Sequence, residues 1–232
     1  MGALDGKVAI VTGAGQGVGR CHAELLAAQG ASVVVNDLVD SAIEVTEAIS
    51  ANGGVAIAHQ SDIADWDATG ELVNAALDTF GELDIIVNNA GLLRDAMSFS
   101  MTENQWDLVV DVHLKGHAAT AHHASKYWRA TAKSLPDGAA LRPRRIINTT
   151  SESGLFGGPA QLNYGSAKGG IVTMTLILAK ELGRYGVTAN CIAPRARTQM
   201  NESIDRFKKP ETGFDPYDPA HVSPMVAWLA SD

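Results

Sequence analysis

The chain has 232 residues, of which 46% are hydrophobic and 19% charged, with a formal net charge of −8. This is the profile of one ordinary globular domain with a large core, and its acidic balance repels nucleic acid and anionic lipid, so neither is expected as a partner. Two cysteines, Cys21 and Cys191, are too few for a disulfide framework and point to a reducing, cytoplasmic setting.

No secretory leader is expected before Lys7, and Gly6 occupies the position where a myristoylation signal needs Ser or Thr. The most apolar stretch, 171–179, is too short and too interrupted by threonine to span a bilayer, so no membrane association is expected.

Short apolar runs at 8–11, 32–36, 55–59, 83–88, 145–149 and 187–192 read as strands, and helical patterns lie between them at 17–29, 40–51, 66–80, 103–133 and 162–183. Val- and Ile-rich runs without polar interruption suit a parallel sheet buried on both faces. The alternation predicts a single α/β domain with a Rossmann-type doubly wound sheet. Residues 134–143 read as a surface loop, and 195–219 show little periodicity, with Pro210, Pro216 and Pro219 interrupting. A last helix is expected at 219–230. A sheet of this kind would normally add another strand there, so the native chain is expected to continue beyond Asp232.

The first strand runs into Thr12-Gly13-Ala14-Gly15-Gln16-Gly17-Val18-Gly19, and a helix follows. Glycines let the backbone N–H groups approach a pyrophosphate closely, and the helix N-terminus adds a favourable dipole. Asp37 ends the second strand, eighteen residues after Gly19, close to the spacing of a ribose-binding carboxylate. Such a group accepts bonds from ribose hydroxyls and repels a 2′-phosphate. Gln16 and Leu38 supply no countercharge, and Arg20 is expected in a surface ion pair. NAD is therefore the expected cofactor, with a turn cap as the alternative role for Asp37.

Tyr164 and Lys168 stand at i and i+4 on a predicted helix, on one face, so a phenol and an ammonium can meet one ligand. A tyrosine titrates near 10 and is a poor base at neutral pH; a neighbouring Lys168 cation favours the phenolate. Ser151 closes the fifth strand thirteen residues earlier, with Thr149, Thr150 and Ser153 as nearby hydroxyls that compete for its role.

In the order and spacing of these motifs, from residue 5 to about 200, the sequence resembles the short-chain dehydrogenase/reductase family. The resemblance implies that Ser151, Tyr164 and Lys168 are catalytic, with Ser151 orienting the substrate oxygen and Lys168 holding the nicotinamide ribose. It implies cofactor contacts from Thr12, Gly13, Gln16, Gly17, Val18 and Gly19, from Asp37, and from Asn89, Ala90 and Gly91 after the fourth strand. It also implies contacts from Asp62, with Ile63 beside it, and from Pro194 and Thr198 over the nicotinamide, where Ile192 would pack on the ring. A helix N-cap is the alternative role for Asp62. Arg195 stands where the family usually has glycine. His113 replaces the family's asparagine in the long helix, where it is either a proton relay or a buried structural residue. The i, i+4 pair His113 and His117 lacks a third ligand, so no metal is expected. Cys21 is expected to serve packing.

The run 88–95, Trp106 and the segment 112–116 are most similar to the (3R)-hydroxyacyl-CoA dehydrogenase branch. That implies a small-molecule substrate, an acyl thioester or a steroid-like molecule, shaped by residues 199–225. A 3-oxoacyl carrier-protein reductase is the alternative. A redox-sensing NAD-binding protein would be expected to lack Ser151, Tyr164 or Lys168, and all three are present. The helix over 170–182 is apolar on most of its circumference, and a homodimer or homotetramer is expected.

Overall fold

The structure, a computed structural model, describes residues 2–198 and 207–232. Six parallel strands, β1 (Val8–Thr12), β2 (Ser32–Asp37), β3 (Val55–Gln60), β4 (Ile85–Asn88), β5 (Arg144–Thr149) and β6 (Val187–Ile192), form one sheet in the order β3-β2-β1-β4-β5-β6. The strand order reverses between β1 and β4, which opens a crevice at the carboxyl ends of the strands.

Side chains alternate across the sheet, so each strand feeds two cores. Ala9, Val11, Val33 and Val35 pack with Leu26 of α1 (Gly17–Ala28), Val45 of α2 (Ser41–Ala51) and Val226 of α8 (Ser223–Ala230). Val8, Ile10 and Val34 pack on the other face with Leu72 and Val73 of α3 (Trp66–Phe80), and with Ala124 and Trp128 of α5 (Gly116–Ser134). Trp128 is 1% exposed, and its indole N–H donates to Leu83 O at 2.7 Å.

Three departures from the expected elements matter for the site. The helix expected over 103–133 is interrupted: α4 (Glu103–Val110) passes through a π-helical turn, Asp111–Lys115, before α5 begins. Periodicity does not register one extra residue in a turn, and such turns recur at functional sites. A short helix, α6 (Glu152–Phe156), starts at Ser151 and was not expected. The last helix is split into a 3-10 turn, Pro219–Val222, and α8.

Fully buried Asp84, just before β4, accepts from Val8 N at 2.9 Å and from Arg142 Nη2 at 2.7 Å, tying the 134–143 loop to the sheet. This charged cluster lies at the strand ends opposite the crevice. No helix among the described residues is long and apolar enough to cross a membrane.

Candidate active site

A cleft of about 630 Å³ opens at the reversal of strand order. Its floor is the glycine turn. Gly13 has φ +61°, and a Cβ there would lie 2.6 Å from Ala90 Cα; a Cβ on Gly19 would lie 2.1 Å from Gly13 O. These contacts are closer than any side chain tolerates, so glycine is required for β1, α1 and the turn after β4 to converge. Gln16 caps α1 with its backbone alone, leaving the first N–H groups of a twelve-residue helix facing the cleft.

Thr12 does not line the cleft as the family resemblance implied. It is fully buried, and its hydroxyl accepts from Asn89 N at 3.0 Å and Ala90 N at 3.1 Å, so it supports the turn from behind. Asn89 lines the cleft and donates to Thr12 O and Gly13 O at 3.0 and 3.1 Å. Ala90 and Gly91 complete that wall.

Asp37 stands at the end of β2, its Oδ2 accepting from Gly15 N at 2.9 Å and its Oδ1 from Leu38 N at 2.7 Å. A carboxylate has about four acceptor sites, so each oxygen keeps one for a ligand hydroxyl. Arg20 pairs with Glu24 at 2.8 Å, as expected. Among the described residues the cations lining the cleft are Lys168 and Arg195. Asp62 and Ile63 line the cleft, and the α3 N-cap is Asp65, whose carboxylate accepts from Asp67 N and Ala68 N. The floor thus fits a dinucleotide: glycines where a Cβ would block it, N–H donors for a diphosphate, and a carboxylate for a ribose.

Ser151, Tyr164 and Lys168 line the same cleft beyond the glycine turn. Ser151 lies two residues past the end of β5 and caps α6, its Oγ accepting from Ser153 N at 3.2 Å. Tyr164 and Lys168 lie on α7 (Leu162–Leu182). The closeness of α6 and α7 depends on Gly154, where a Cβ would lie 2.6 Å from the Lys168 carbonyl carbon. Asn88 and Asn148 hydrogen-bond across β4 and β5 at 2.9 Å, and Asn148 donates to Thr175 of α7 at 2.9 Å, setting the helix against the sheet.

The expectation that a Lys168 cation brings the Tyr164 pKa down is not met by the protein by itself. Burial raises the phenol above its ordinary 10; a hydrogen bond with Ser151 lowers it, and the Asp95 charge raises it. Lys168 is 2% exposed, donates to Thr149 O at 2.6 Å, and sits 5.7 Å from the Tyr164 ring centroid. Burial brings its own pKa down to about 7, so the protein by itself holds a full positive charge there only partly at neutral pH.

His113, in the π-helical turn, is 1% exposed. Its Nε2 lies 2.8 Å from Leu92 O and 3.1 Å from Leu92 N, and its ring meets that of Tyr164 edge-on at 5.1 Å. A Cβ on Gly91 would lie 2.3 Å from the imidazole. Burial, and then the nearby Lys168, bring its pKa down to about 3, so the ring is neutral at physiological pH. This geometry favours the structural alternative over transfer through an imidazolium. Burial likewise raises the Cys21 thiol pKa, the opposite of an activated nucleophile.

Pro194 and Thr198 line the cleft, whereas Ile192 packs into the core between sheet, α1 and α8. Arg195 makes an ion pair with Glu152 at 2.5 Å, joining the rims that follow β6 and β5. Ser153, a competing hydroxyl in the sequence, also lines the cleft, as do Asp95, Gln161 and Phe207, which were not singled out there. Of the segment expected to shape the substrate pocket, 199–206 lie outside the described residues.

Residues 7–209 match the short chain dehydrogenase family. The chain belongs to that family. A crystal structure of a short chain dehydrogenase from Mycobacterium avium superposes with a TM-score of 0.87 at 47% identity, covering 99% of this chain and 78% of that one. Hydroxyacyl-CoA dehydrogenase ChsB1 of Mycobacterium tuberculosis is 45% identical over 98% of this chain and 74% of its own length. A 3-oxoacyl-[acyl-carrier-protein] reductase of Synechocystis is 38% identical over 100% of this chain and 92% of its own. The chain is 36% identical to peroxisomal multifunctional enzyme type 2 of Mus musculus but spans only 30% of it. Family membership implies a nicotinamide nucleotide cofactor.

Proposed function

We propose that this short chain dehydrogenase interconverts 3-hydroxyacyl and 3-oxoacyl thioesters with NAD. The observation that carries the reaction type is the meeting of Ser151, Tyr164 and Lys168 at one end of a cleft whose other end is the glycine turn and Asp37. The likeness to ChsB1, at 45% identity, supports the thioester substrate. Asp37, with an acceptor site left on each oxygen, supports NAD over NADP.

The bound dinucleotide supplies the hydride acceptor or donor. The protein's part is to hold and move the proton. In oxidation, Tyr164 Oη takes the proton of the substrate hydroxyl while the Ser151 hydroxyl keeps that oxygen within hydrogen-bond reach. Lys168 Nζ, anchored on Thr149 O, would hold the nicotinamide ribose and carries charge that favours the phenolate when protonated. His113 holds the Leu92 backbone and the Tyr164 ring in place.

The direct test is a spectrophotometric screen of NAD and NADP with 3-hydroxyacyl-CoA, steroid and simple secondary alcohols. Turnover of the thioester with NAD at a kcat/KM at least about tenfold above NADP is expected. Activity confined to the other alcohols, or a preference for NADP, would overturn this function. The Synechocystis relative supports a second reading, reduction of a carrier-protein thioester, which predicts that NADPH is preferred.

Self-association belongs to the same proposal. Helix α7 buries Ala167, Ile171 and Thr175 and leaves Leu176 59% and Ile177 49% exposed. Further copies covering that face give a homodimer or homotetramer by light scattering. Two free, half-buried cysteines suit a cytoplasmic protein.

A further inference from the structure

Gln161 begins α7, three residues before Tyr164, yet its side chain does not cap the helix. It lines the same cleft as Ser151 and Tyr164. Its Oε1 accepts from Ser153 Oγ at 2.5 Å, and its Nε2 donates to Asp95 Oδ2 at 3.3 Å. Rotating the amide by half a turn would set Oε1 against the Asp95 carboxylate, acceptor against acceptor, so the orientation is determined. One N–H of the amide is then used by Asp95. The other has no protein acceptor among the described residues.

The backbone is bent to present this side chain. Ala160 has φ +64°, the one non-glycine residue with positive φ among the described residues. A β-carbon in that region costs roughly 1 kcal/mol or more, and such strain persists only where surrounding contacts hold it. Here Ala96 N donates to Ala160 O at 2.9 Å, so the Asp95–Ala96 and Ala160–Gln161 pairs are joined by both a main-chain and a side-chain bond. Gly158 leaves room for the amide, since a Cβ there would lie 2.9 Å from Gln161 Oε1.

We propose that Gln161 determines substrate specificity by donating its remaining Nε2–H to the thioester carbonyl oxygen of a 3-oxoacyl or 3-hydroxyacyl substrate, two carbons from the oxygen held by Ser151 and Tyr164. This rests on the thioester reading above. Hydride transfer is stereospecific only if the reacting carbon is held at a fixed angle, and one oxygen contact leaves the acyl chain free to turn about it. A second contact, on a donor oriented by Ser153 and Asp95, removes that freedom. A simple secondary alcohol has no group for it.

The test compares acetoacetyl-CoA with S-(3-oxobutyl)-CoA, which keeps the ketone and the whole CoA body but has CH2 in place of the thioester carbonyl. The ratio of their kcat/KM values, measured for wild type and for Gln161→Met, cancels the intrinsic reactivity of the two ketones. A lost hydrogen bond of about 1.4 kcal/mol corresponds to a tenfold fall in that ratio. A fall of fivefold or more is the expected result, and a smaller one overturns the proposal. If Gln161→Met fails to fold or to bind NADH, Gln161→Asn, which keeps an amide but withdraws it by one methylene, is judged by the same ratio and threshold. A wild type that turns over acetoacetyl-CoA with a ratio insensitive to Gln161 defeats this inference alone. A wild type inactive on acetoacetyl-CoA defeats the thioester reading, and this inference with it.

Discussion

Replacing Lys168 by methionine should remove a pH dependence of stability that can be worked out from the structure. The amine is 2% exposed, and burial brings its pKa from 10.5 to about 7. Between those values the unfolded chain binds a proton that the folded chain releases, so stability rises with pH across that window. The penalty is fully present below about 7 and vanishes as pH climbs through 10.5. For a pKa falling by this much, linkage gives a penalty of about 4 kcal/mol at pH 7 and about 2 kcal/mol at pH 9. Wild-type protein without cofactor should therefore gain about 2 kcal/mol over those two pH units from this group alone. Lys168→Met lacks the titration, keeps a side chain of similar length, and strands Thr149 O at a cost of about 1–3 kcal/mol. The variant should be as stable as wild type or more so at pH 7, lose that advantage by pH 9, and be catalytically dead. Urea unfolding of both proteins at the two pH values, followed by circular dichroism, checks this. Parallel shifts in wild type and variant would show that Lys168 is not a buried, easily discharged amine, and would remove the electrostatic account of the site.

Tyr164→Phe should lower kcat by at least about 10², the typical loss for a missing acid–base group, while NADH binding measured by fluorescence stays within about twofold. Because burial and Asp95 raise the phenol, wild-type kcat for oxidation should rise toward alkaline pH, and Asp95→Asn should move that limb to lower pH; an unmoved limb would exclude the Asp95 charge as a cause. Asp37→Ser should narrow the NAD preference toward parity in parallel kcat/KM measurements, and a preference that survives would place cofactor selection elsewhere in the cleft. His113→Asn should reduce kcat with no change in the position of the pH limb, since a ring with a pKa of about 3 is already neutral; a shifted or missing limb would restore His113 as the proton carrier.

The parts of the molecule that were legible in the sequence are those governed by local rules. Strands β1, β2 and β4 announce themselves as apolar runs because both faces of the sheet are covered. The glycine turn is legible because Gly13 and Gly19 sit where any side chain would collide with Ala90 and with the Gly13 carbonyl. Ser151, Tyr164 and Lys168 follow from spacing on a strand end and a helix. The π-helical turn left no trace, because its extra residue is absorbed within an otherwise continuous helical pattern.

The substrate side was not legible because its chemistry comes from tertiary contact. Nothing in the run 158–163 marks Gln161 as more than a helix-start residue. Its meaning arises only when Ala96, more than sixty positions earlier, meets Ala160 and brings Asp95 within reach of the amide. Lys168 shows the same limit in electrostatics. Its i, i+4 relation to Tyr164 was evident, but whether the lysine is charged depends on Thr149, Gly154 and the packing of α6 on α7, which strip it of water. Spacing therefore identifies which groups meet, and burial decides which proton each of them holds. In this chain the two diverge at Lys168 and His113, buried groups whose pKa values fall to about 7 and about 3. Under the proposed function, proton transfer is accordingly left to Tyr164, with Lys168 and His113 setting the field and the position in which it works.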